Sequence, residues 1–292
     1  MDLNLPLQVL LSGLTLGSVY ALVAVAFGVI YNTTRSINFV QGEYVMLGGV
    51  TAAAAYSHGM SMTVSILLAL GVAVIAGLLT ERAILGFGRI RTGDAITVAT
   101  IGVAVALKGA VMLQTNRRTY GLPPVLGEGQ LRIAGATVST QVVFNLAMMA
   151  VAAIALTWFL RRTKPGTIMR AASDDREMVT AFGTPATSTA RWAFIIAAVL
   201  GTLAGIGVTP LTVVSFETGT LLGLKGFSAA ILGGIGNLYG AVLGGLALGI
   251  AEAAVGGYGS PAYVDAIAFG VLLLVLFVRP SGLLGRSSVV RV

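Results

Sequence analysis

The sequence has no cysteine and only one histidine among its 292 residues. The missing thiols exclude disulfides, thiolate chemistry and cysteine metal sites. His58 lies in the turn SHGMS with no other metal-binding side chain near it in sequence, so we predict no metal site there. Charged residues are also scarce, at 10% of the chain against about 25% in an average soluble domain. That is too few to build a surface that faces water on all sides.

The motifs of common active sites are missing as well. The dipeptide Gly-Lys does not occur, so the chain has no GxxxxGK[ST] phosphate loop, and neither GxSxG nor HExxH is present. The sequence also indicates no pair of buried catalytic carboxylates. We therefore predict that the chain is not an enzyme and has no cofactor of its own. Any energy it uses must come from an ion gradient or from another subunit.

Apolar residues make up 56% of the chain and occur in runs of the length, about 20 residues, that suits bilayer-spanning helices. The runs are continuous and do not alternate with period two, which argues against a β-barrel. We predict an all-α, polytopic transmembrane bundle that forms a single domain over 1–292. The first run follows the acidic start MDLNLPL and is too long for the apolar core of a signal peptide, so we expect a retained membrane helix.

About eight to nine membrane segments are predicted. One of them, 223–236, is too short to cross a bilayer alone, and we expect a half-helix or a re-entrant segment that is buried in protein. The candidate segments are 8–31, 43–57, 62–80, 94–114, 142–162, 191–214, 223–236, 238–255 and 262–279.

Basic residues predict the orientation of these segments. Arg35, the loops 81–94 and 161–191 and the tail 279–292 together hold 13 of the 18 Lys and Arg residues. Because cytoplasmic loops are rich in Lys and Arg, we place these stretches in the cytoplasm, with the N-terminus outside and the C-terminus inside. The net charge of +7 has the same origin, and we predict no nucleic-acid partner. A short external hairpin is expected around QLRIAGATV.

The stretch INFVQGEYVMLGG (37–49) places polar and small residues between two apolar runs. Asn38 and Gln41, three residues apart, predict an N-cap and capping box. Gly42 is expected to allow close helix approach. For Glu43 three interpretations stay open: a carboxylate that stabilises a helix N-terminus at the interface, a packing or pairing role, or direct contact with a solute.

The stretch 223–253 is rich in glycines at spacings of four residues. Gly236, Gly240 and Gly244 are predicted to form one helix face for tight packing. The pair Gly233–Gly234 and Asn237 are predicted to break the helix, and a thin-walled turn beside a translocation path is the functional alternative.

Four charged residues each lie within or next to an apolar segment: Lys108, Lys225, Glu252 and Asp265. We favour pairing or snorkelling towards the membrane surface over transport chemistry for each of them. A proton or sodium relay would place several acidic groups deep in the helices, and this chain does not show that pattern clearly.

The loop 161–191 contains the stretch GTIMRAASDDREMVTAFG, which predicts an amphipathic helix near 166–183. Its polar side mixes acidic and basic residues, whereas helices that lie on lipid are usually more basic. A protein partner is therefore favoured over a lipid surface.

The sequence resembles the permease subunits of branched-chain amino acid ABC importers, specifically the smaller, H-type permease. The resemblance covers nearly the whole chain and rests on three stretches: INFVQGEYVMLGG, the cytoplasmic GTIMRAASDDREMVTAFG, and GLKGFSAAILGGIGNLYGAVLGGLALGIAEA together with the closing RPSGLLG. Two departures are Lys225-Gly226-Phe227, where the family usually has Lys-Ala-Phe, and VVSFETG, where it commonly has a proline.

The resemblance implies a bacterial inner-membrane importer with a second permease subunit, usually a different chain. Two ATPase subunits would bind the ATP, an extracytoplasmic binding protein would deliver a small polar solute, and membrane lipid would surround the helices. It implies coupling to the ATPases through Arg170, Ala171, Asp174 and Asp175. It implies a translocation path or helix break at Asn38, Gly42, Glu43, Gly233, Gly234 and Asn237.

The family also imports urea, amides and other amino acids, so the motifs do not fix the solute. A sugar-type ABC permease, and an ion-coupled secondary transporter or channel that works alone, remain the alternatives.

Overall fold

The computed structural model describes residues 4–86, 92–133, 136–183, 185–279 and 281–285. Within these ranges the chain forms eleven α-helices and one two-stranded hairpin. The elements are α1 Asn4–Thr34, α2 Gln41–Ser57, α3 Met62–Leu85, α4 Gly93–Thr115, β1 Gln130–Ile133, β2 Ala136–Ser139, α5 Gln141–Arg162, α6 Lys164–Asp174, α7 Arg176–Ala181, α8 Ala186–Val208, α9 Thr218–Gly233, α10 Leu238–Tyr258 and α11 Val264–Val278. A single 3-10 turn, Pro261–Tyr263, leads into α11. The predicted all-α transmembrane bundle is confirmed.

Nine helices, α1–α5 and α8–α11, correspond to the nine predicted segments. In the described part of the chain, seven of them are long and apolar enough to cross a membrane, when α11 is taken together with the 3-10 turn before it as Pro261–Val278. The other two, α2 and α9, have only 17 and 16 residues. The predicted bounds 223–236 are wrong for α9, which begins at Thr218 and ends at Gly233, because glycines in the left-handed region follow it at 234 and 236.

The hairpin predicted around QLRIAGATV is confirmed. Strands β1 and β2 pair antiparallel, with Gln130 opposite Ser139 and Ile133 opposite Ala136. The hairpin joins α4 to α5, and a single backbone bridge between Tyr120 and Val214 ties the same connection to the segment that precedes α9.

Helix α1 is the centre of the bundle, because 83% of its most apolar window is buried by the other helices. It packs on α10 through glycines on both sides of the contact. A Cβ added to Gly17 would lie 2.8 Å from Leu246 Cα, and Gly245 and Gly249 face Ala21 and Gly17. Small residues let the two backbones touch, which is the main source of helix association in a bilayer.

The peripheral helices have the opposite character. The corresponding buried shares of α3, α4, α5 and the Pro261–Val278 helix are 28%, 22%, 22% and 6%. Their exposed side chains are large and apolar, as at Leu67, Val105, Ile154 and Phe277. In water such a surface would aggregate, whereas in a bilayer it faces hydrocarbon at no cost.

Lys225 connects four helices through a cluster of polar side chains, of which Lys225, Glu252 and Tyr20 are buried and Asp265 is 59% exposed. Its Nζ lies 3.1 Å from Glu252 Oε2 on α10 and 2.8 Å from Asp265 Oδ1 on α11. The Tyr20 hydroxyl on α1 donates to Glu252 Oε2 at 2.7 Å. Of the two interpretations favoured for these charges, pairing and snorkelling, the structure shows pairing for Lys225, Glu252 and Asp265.

Candidate functional site

Two helices begin beside each other inside the bundle. Gly42, in the first turn of α2, faces Gly219 and Gly223 on α9, and a Cβ on Gly42 would lie 3.0 Å from Gly223 Cα. The residues that precede the two helices, Val40 and Glu217, make no side-chain cap hydrogen bond. Helix N-termini carry partial positive charge and N–H groups that have no partner within the helix. This junction therefore favours negative charge.

Glu43 supplies that negative charge. Its side chain is only 4% exposed, and its Oε1 accepts a hydrogen bond from the Thr220 hydroxyl at 3.4 Å. The same hydroxyl accepts from Lys108 Nζ of α4 at 3.2 Å. The second carboxylate oxygen, Glu43 Oε2, is buried and has no hydrogen-bond partner among the described residues. The three side chains form a polar line, Glu43–Thr220–Lys108, in which Glu43 Oε2 is the acceptor without a hydrogen-bond donor.

This polar line borders a cavity of about 360 Å³. The rest of the lining is almost entirely apolar or glycine: Phe27, Phe39, Gly42, Ile101, Ala104, Val105, Gly219, Gly223, Leu224 and Phe227. The Phe227 ring centroid lies 5.5 Å from that of Phe27 and 6.2 Å from that of Phe39. Small-molecule sites typically measure about 300–1,000 Å³ and place a few polar groups in an apolar wall.

The residues that lead into α2 differ from the prediction. The capping box of Asn38 and Gln41 is wrong, because α2 begins at Gln41 and the Gln41 amide instead donates to the Ala197 carbonyl of α8 at 3.1 Å. Asn38 Oδ1 accepts from the N–H of Val40 at 3.1 Å, outside the helix. Asn38 does not line the cavity, whereas Gly42 and Glu43 do.

Polar side chains of α4 satisfy part of the non-helical backbone before α2. The N–H of Phe39 donates to Thr100 Oγ1 at 3.1 Å, and the N–H of Ile37 donates to Thr97 Oγ1 at 3.3 Å. Irregular backbone inside a membrane protein requires such partners, because hydrocarbon offers none.

The other predicted path residues lie at the turn between α9 and α10, away from the cavity lining. Gly233 ends α9, and Gly234 continues with φ 99°. Asn237 caps α10, since its Oδ1 accepts from the N–H of Gly240 at 3.1 Å. Its Nδ2 donates to the Leu284 carbonyl at 2.8 Å, so the chain beyond α11 is fastened to this turn.

The expected glycine face is only partly helical. Gly240 and Gly244 lie on α10, where Gly240 meets Gly233 and Gly244 meets Ala229 and Gly233. The prediction that Gly236 continues the same helix is wrong, because Gly236 has φ 89° and lies in the turn. There its carbonyl accepts from Asn32 Nδ2 at 2.7 Å.

The predicted helix near 166–183 is wrong as a single element. Thr163 caps α6, which carries Pro165 in its first turn, and α6 ends at Asp174. Asp175 then has an extended backbone and caps α7 by accepting from the N–H of Met178 at 2.9 Å. A short aspartate side chain that can bond a nearby backbone N–H favours such a break.

The coupling residues proposed from the sequence lie on these two helices. Arg170, Ala171 and Asp174 are exposed on α6, and Asp175 is exposed between α6 and α7. Phe182, just after α7, is 84% exposed. A small recess of about 60 Å³ brings Arg170 and Asn237 together.

From the sequence, pairing or snorkelling is predicted for Lys108, and no role is predicted for Thr220. The signal for Lys108 was present, as a lone cation well inside an apolar segment. Thr220 carried no signal, because threonine is common in membrane helices and its importance depends on the packing of α9 against α2 and α4. In the described ranges, no group of three or more His, Asp or Glu residues could hold a metal ion.

Comparison with known proteins places this geometry in a family. A family model described as "Branched-chain amino acid transport system / permease component" matches residues 9–276. The high-affinity branched-chain amino acid transport system permease protein BraD of Pseudomonas aeruginosa is 33% identical, over 98% of both chains. LivH, the permease protein of the same description in Escherichia coli K12, is also 33% identical, over 98% of this chain and 97% of its own.

A solved structure shares the fold. PsaBC from Streptococcus pneumoniae, in complex with Fab, superimposes with a TM-score of 0.51 at 15% identity, over 92% of this chain and 91% of the PsaBC chain. The full-length sequence match and the shared helical architecture agree with the motifs around Glu43, Asp175 and Asn237. The chain belongs to the branched-chain amino acid ABC transporter permease family.

Proposed function

We propose that this chain is the membrane-spanning subunit of an ATP-driven importer and that it passes branched-chain amino acids through the inner membrane. The observation that carries the proposal is the cavity beside Glu43, Thr220 and Lys108, which combines a short polar line with a large apolar wall. That combination suits a small solute with a charged end and an aliphatic end. The substrate class of BraD and LivH supports the same choice.

Separate ATPase subunits would supply the energy, since the sequence has no phosphate loop of its own. Their docking surface is α6 and α7. Arg170, Asp174 and Asp175 offer charges there, and the exposed Met178 and Phe182 offer apolar anchors. A mixed charged and apolar surface is typical of a site for a protein partner.

The path from this surface to the cavity runs through α9. The recess that contains Arg170 also contains Asn237, which follows the last turn of α9. Helix α9 has 16 residues and therefore spans about 24 Å, and its first turn holds Thr220 at the cavity. Movement of the docked helices would tilt α9 and change the contact between Thr220 and Glu43. Two discrete positions of α9 would give alternating access.

The basic loops orient the chain in this proposal. The N-terminus faces the outside, the C-terminus faces the cytoplasm, and an extracytoplasmic binding protein delivers the solute to the outer ends of the helices. A second permease subunit covers part of the exposed apolar surface. The excess of Lys and Arg around α6 and α7 supports a cytoplasmic location for the docking surface.

The proposal is tested by reconstituting the permease pair with its ATPases and binding protein in liposomes. Asp174→Lys together with Asp175→Lys is expected to abolish ATP-dependent leucine uptake, because both substitutions reverse charge on the docking surface. Glu128→Lys, at an exposed position in the connection between α4 and α5, is the control and should leave uptake intact. Normal uptake by the double variant would reject docking at this surface. Failure of the unmodified complex to take up any branched-chain amino acid would reject the proposed solute.

A further inference from the structure

We infer that the line Glu43–Thr220–Lys108 is the head-group site for a zwitterionic amino acid in transit. Glu43 would accept hydrogen bonds from the α-ammonium group, and Lys108 together with the first turn of α9 would bind the α-carboxylate. The Thr220 hydroxyl, which contacts both charged side chains, would lie between the two ends of the head group. The inference rests on the proposed function, since it names the contacts that the imported solute makes.

The first argument is the incomplete hydrogen bonding of Glu43. Its Oε2 atom is buried without a partner in the described structure, and its Oε1 atom has only the long contact to Thr220. A buried carboxylate is costly unless it is paired and hydrogen-bonded. An incoming ammonium group would supply both, so the site is better completed by a cationic group of the solute than by this chain alone.

The second argument is the space that glycines keep around the carboxylate. A Cβ added to Gly219 would lie 2.9 Å from Glu43 Oε2 and 2.7 Å from the Gly42 carbonyl oxygen. A side chain at 219 would therefore cover the open oxygen. Glycine at this position leaves room beside Oε2, and Gly42, Glu43 and Gly219 all line the cavity.

The third argument concerns the anionic end of the solute. Lys108 Nζ has a hydrogen bond to one neutral hydroxyl, on Thr220 in the first turn of α9. Thr220 lies in the first turn of α9, where the helix dipole places partial positive charge near Lys108. A carboxylate beside Thr220 would meet both. Glu43 and Lys108 thus offer opposite charges on the two sides of one hydroxyl, as the two ends of a zwitterion require.

The fourth argument is the apolar remainder of the cavity. Phe27, Phe39, Phe227, Ile101 and Leu224 surround the space beyond the polar line. This wall offers an aliphatic side chain an apolar environment and offers few hydrogen bonds to a sugar or to urea. Unpaired polar groups of such solutes would be buried at a cost. The site therefore fits a zwitterion with an aliphatic side chain.

The test uses the complete reconstituted transporter and measures leucine molecules taken up per ATP hydrolysed. Glu43→Gln and Lys108→Met each remove one charge and nearly keep side-chain size. We expect each to lower this ratio by about tenfold or more, as for a lost hydrogen bond to a charged group, while ATP hydrolysis continues. Glu81→Gln is the matched control: Glu81 is 2% exposed and pairs with Arg191 at 3.5 Å, but it does not line the cavity.

A wild-type ratio in both Glu43→Gln and Lys108→Met would overturn the inference and leave the proposed function standing. Loss of leucine uptake in the unmodified complex would instead reject the proposed function. An equal fall in Glu81→Gln would mean that loss of any buried carboxylate disturbs the fold, and it would count against a specific role for Glu43.

A second measurement does not depend on transport and uses the natural absence of cysteine. Val105 and Val98 lie on the same side of α4 and are 66% and 68% exposed, but only Val105 lines the cavity. In the assembled transporter, leucine is expected to slow maleimide labelling of Val105→Cys and to leave Val98→Cys unchanged. Urea should protect neither. Equal labelling of Val105→Cys with and without leucine would contradict solute binding in this cavity.

Discussion

At the residue scale, the buried charges of this permease differ in their partners. Lys225 lies against two carboxylates, Glu252 and Asp265, and its side chain is 10% exposed. Glu43 Oε2 and Glu252 Oε1 are both buried without a hydrogen-bond partner in the described structure. Glu252, however, has the Lys225 cation at 3.1 Å, whereas Glu43 has the Thr220 hydroxyl and borders a cavity, where in our proposal a solute completes it. The two clusters should therefore respond differently to neutralisation.

Lys225→Met is expected to destabilise the protein by about 3–5 kcal/mol, because it leaves Glu252 as a buried charge without its cation. Adding Glu252→Leu should restore much of the loss, since both buried charges are then gone. Thermal unfolding in detergent measures both effects, and Lys164→Met on the exposed start of α6 is the control. A double variant as unstable as Lys225→Met alone would contradict the pairing.

Gly219→Ala tests how closely α2 and α9 approach. The new Cβ would lie 2.7 Å from the Gly42 carbonyl and 2.9 Å from Glu43 Oε2, so the helices must separate or the carboxylate must turn away. We expect a large loss of uptake. Gly102→Ala makes the same change on α4, where no atom lies within 4 Å, and should be neutral or stabilising by about 1 kcal/mol. Equal uptake in the two variants would contradict the tight junction.

Only some of these residues can be recognised from the sequence. Glu43 and Lys108 can, because a charged side chain inside an apolar run is costly and therefore unusual. Their connection through Thr220 depends on which helices are neighbours, which no local pattern specifies. The contact of Gly42 with Gly219 and Gly223, which places Glu43 beside α9, likewise has no local signal in the sequence.

At the element scale, the junctions between helices decide where the chain can move. The α9–α10 turn is held by backbone bonds from the tail, Leu283 N to Leu232 O at 2.8 Å and Leu284 N to Gly233 O at 3.1 Å. Asn237 adds a side-chain bond to the same tail and caps α10. Because the turn borders the recess that contains Arg170, these bonds are expected to matter for coupling.

Asn237→Ala removes both functions of this side chain, and loss of the cap alone should cost about 1 kcal/mol of stability. Asn237→Asp keeps an oxygen for the cap but loses the donor to the Leu284 carbonyl. We expect Asn237→Ala to lower both thermal stability and uptake per ATP, and Asn237→Asp to lower mainly the uptake per ATP. Wild-type coupling in both variants would show that the tail contact does not take part in coupling.

Element ends were harder to predict than element types. Hydropathy found the nine helices α1–α5 and α8–α11, seven of which are long enough to cross a membrane, because apolar runs are strong signals. The capping box at Asn38 was wrong because Gln41 has a better partner in the Ala197 carbonyl of α8, a tertiary contact. The single helix predicted near 166–183 is in fact two helices, α6 and α7. The chain breaks at Asp175, whose side chain accepts a hydrogen bond from the backbone N–H of Met178. Both errors come from side-chain bonds that override a local pattern.

At the scale of the whole molecule, glycines line the contact between α1 and α10, while large apolar side chains are exposed on α3, α4, α5 and α11. Glycines spaced by four residues predicted close helix packing, and the scarcity of charge predicted a surface that faces lipid. Which exposed faces meet lipid and which meet a second permease is a question of assembly, and a single sequence holds no pattern for it.

The proposed orientation can be tested on this same scale because the natural chain has no cysteine. Glu128→Cys, in the connection between α4 and α5, should react with a membrane-impermeant maleimide added outside intact cells. Lys164→Cys, at the start of α6, should react only after the membrane is opened. The opposite pattern would reverse the topology and would remove α6 and α7 as the ATPase-docking surface.

The central claim is that this chain carries a branched-chain amino acid through the membrane with energy from separate ATPases. The most direct measurement is uptake of labelled leucine into liposomes that contain the complete complex, with ATP present or absent. We expect accumulation that requires ATP, the ATPases and this chain together. Leucine uptake by this chain alone, driven by an ion gradient and indifferent to ATP, would contradict the claim and identify a secondary transporter.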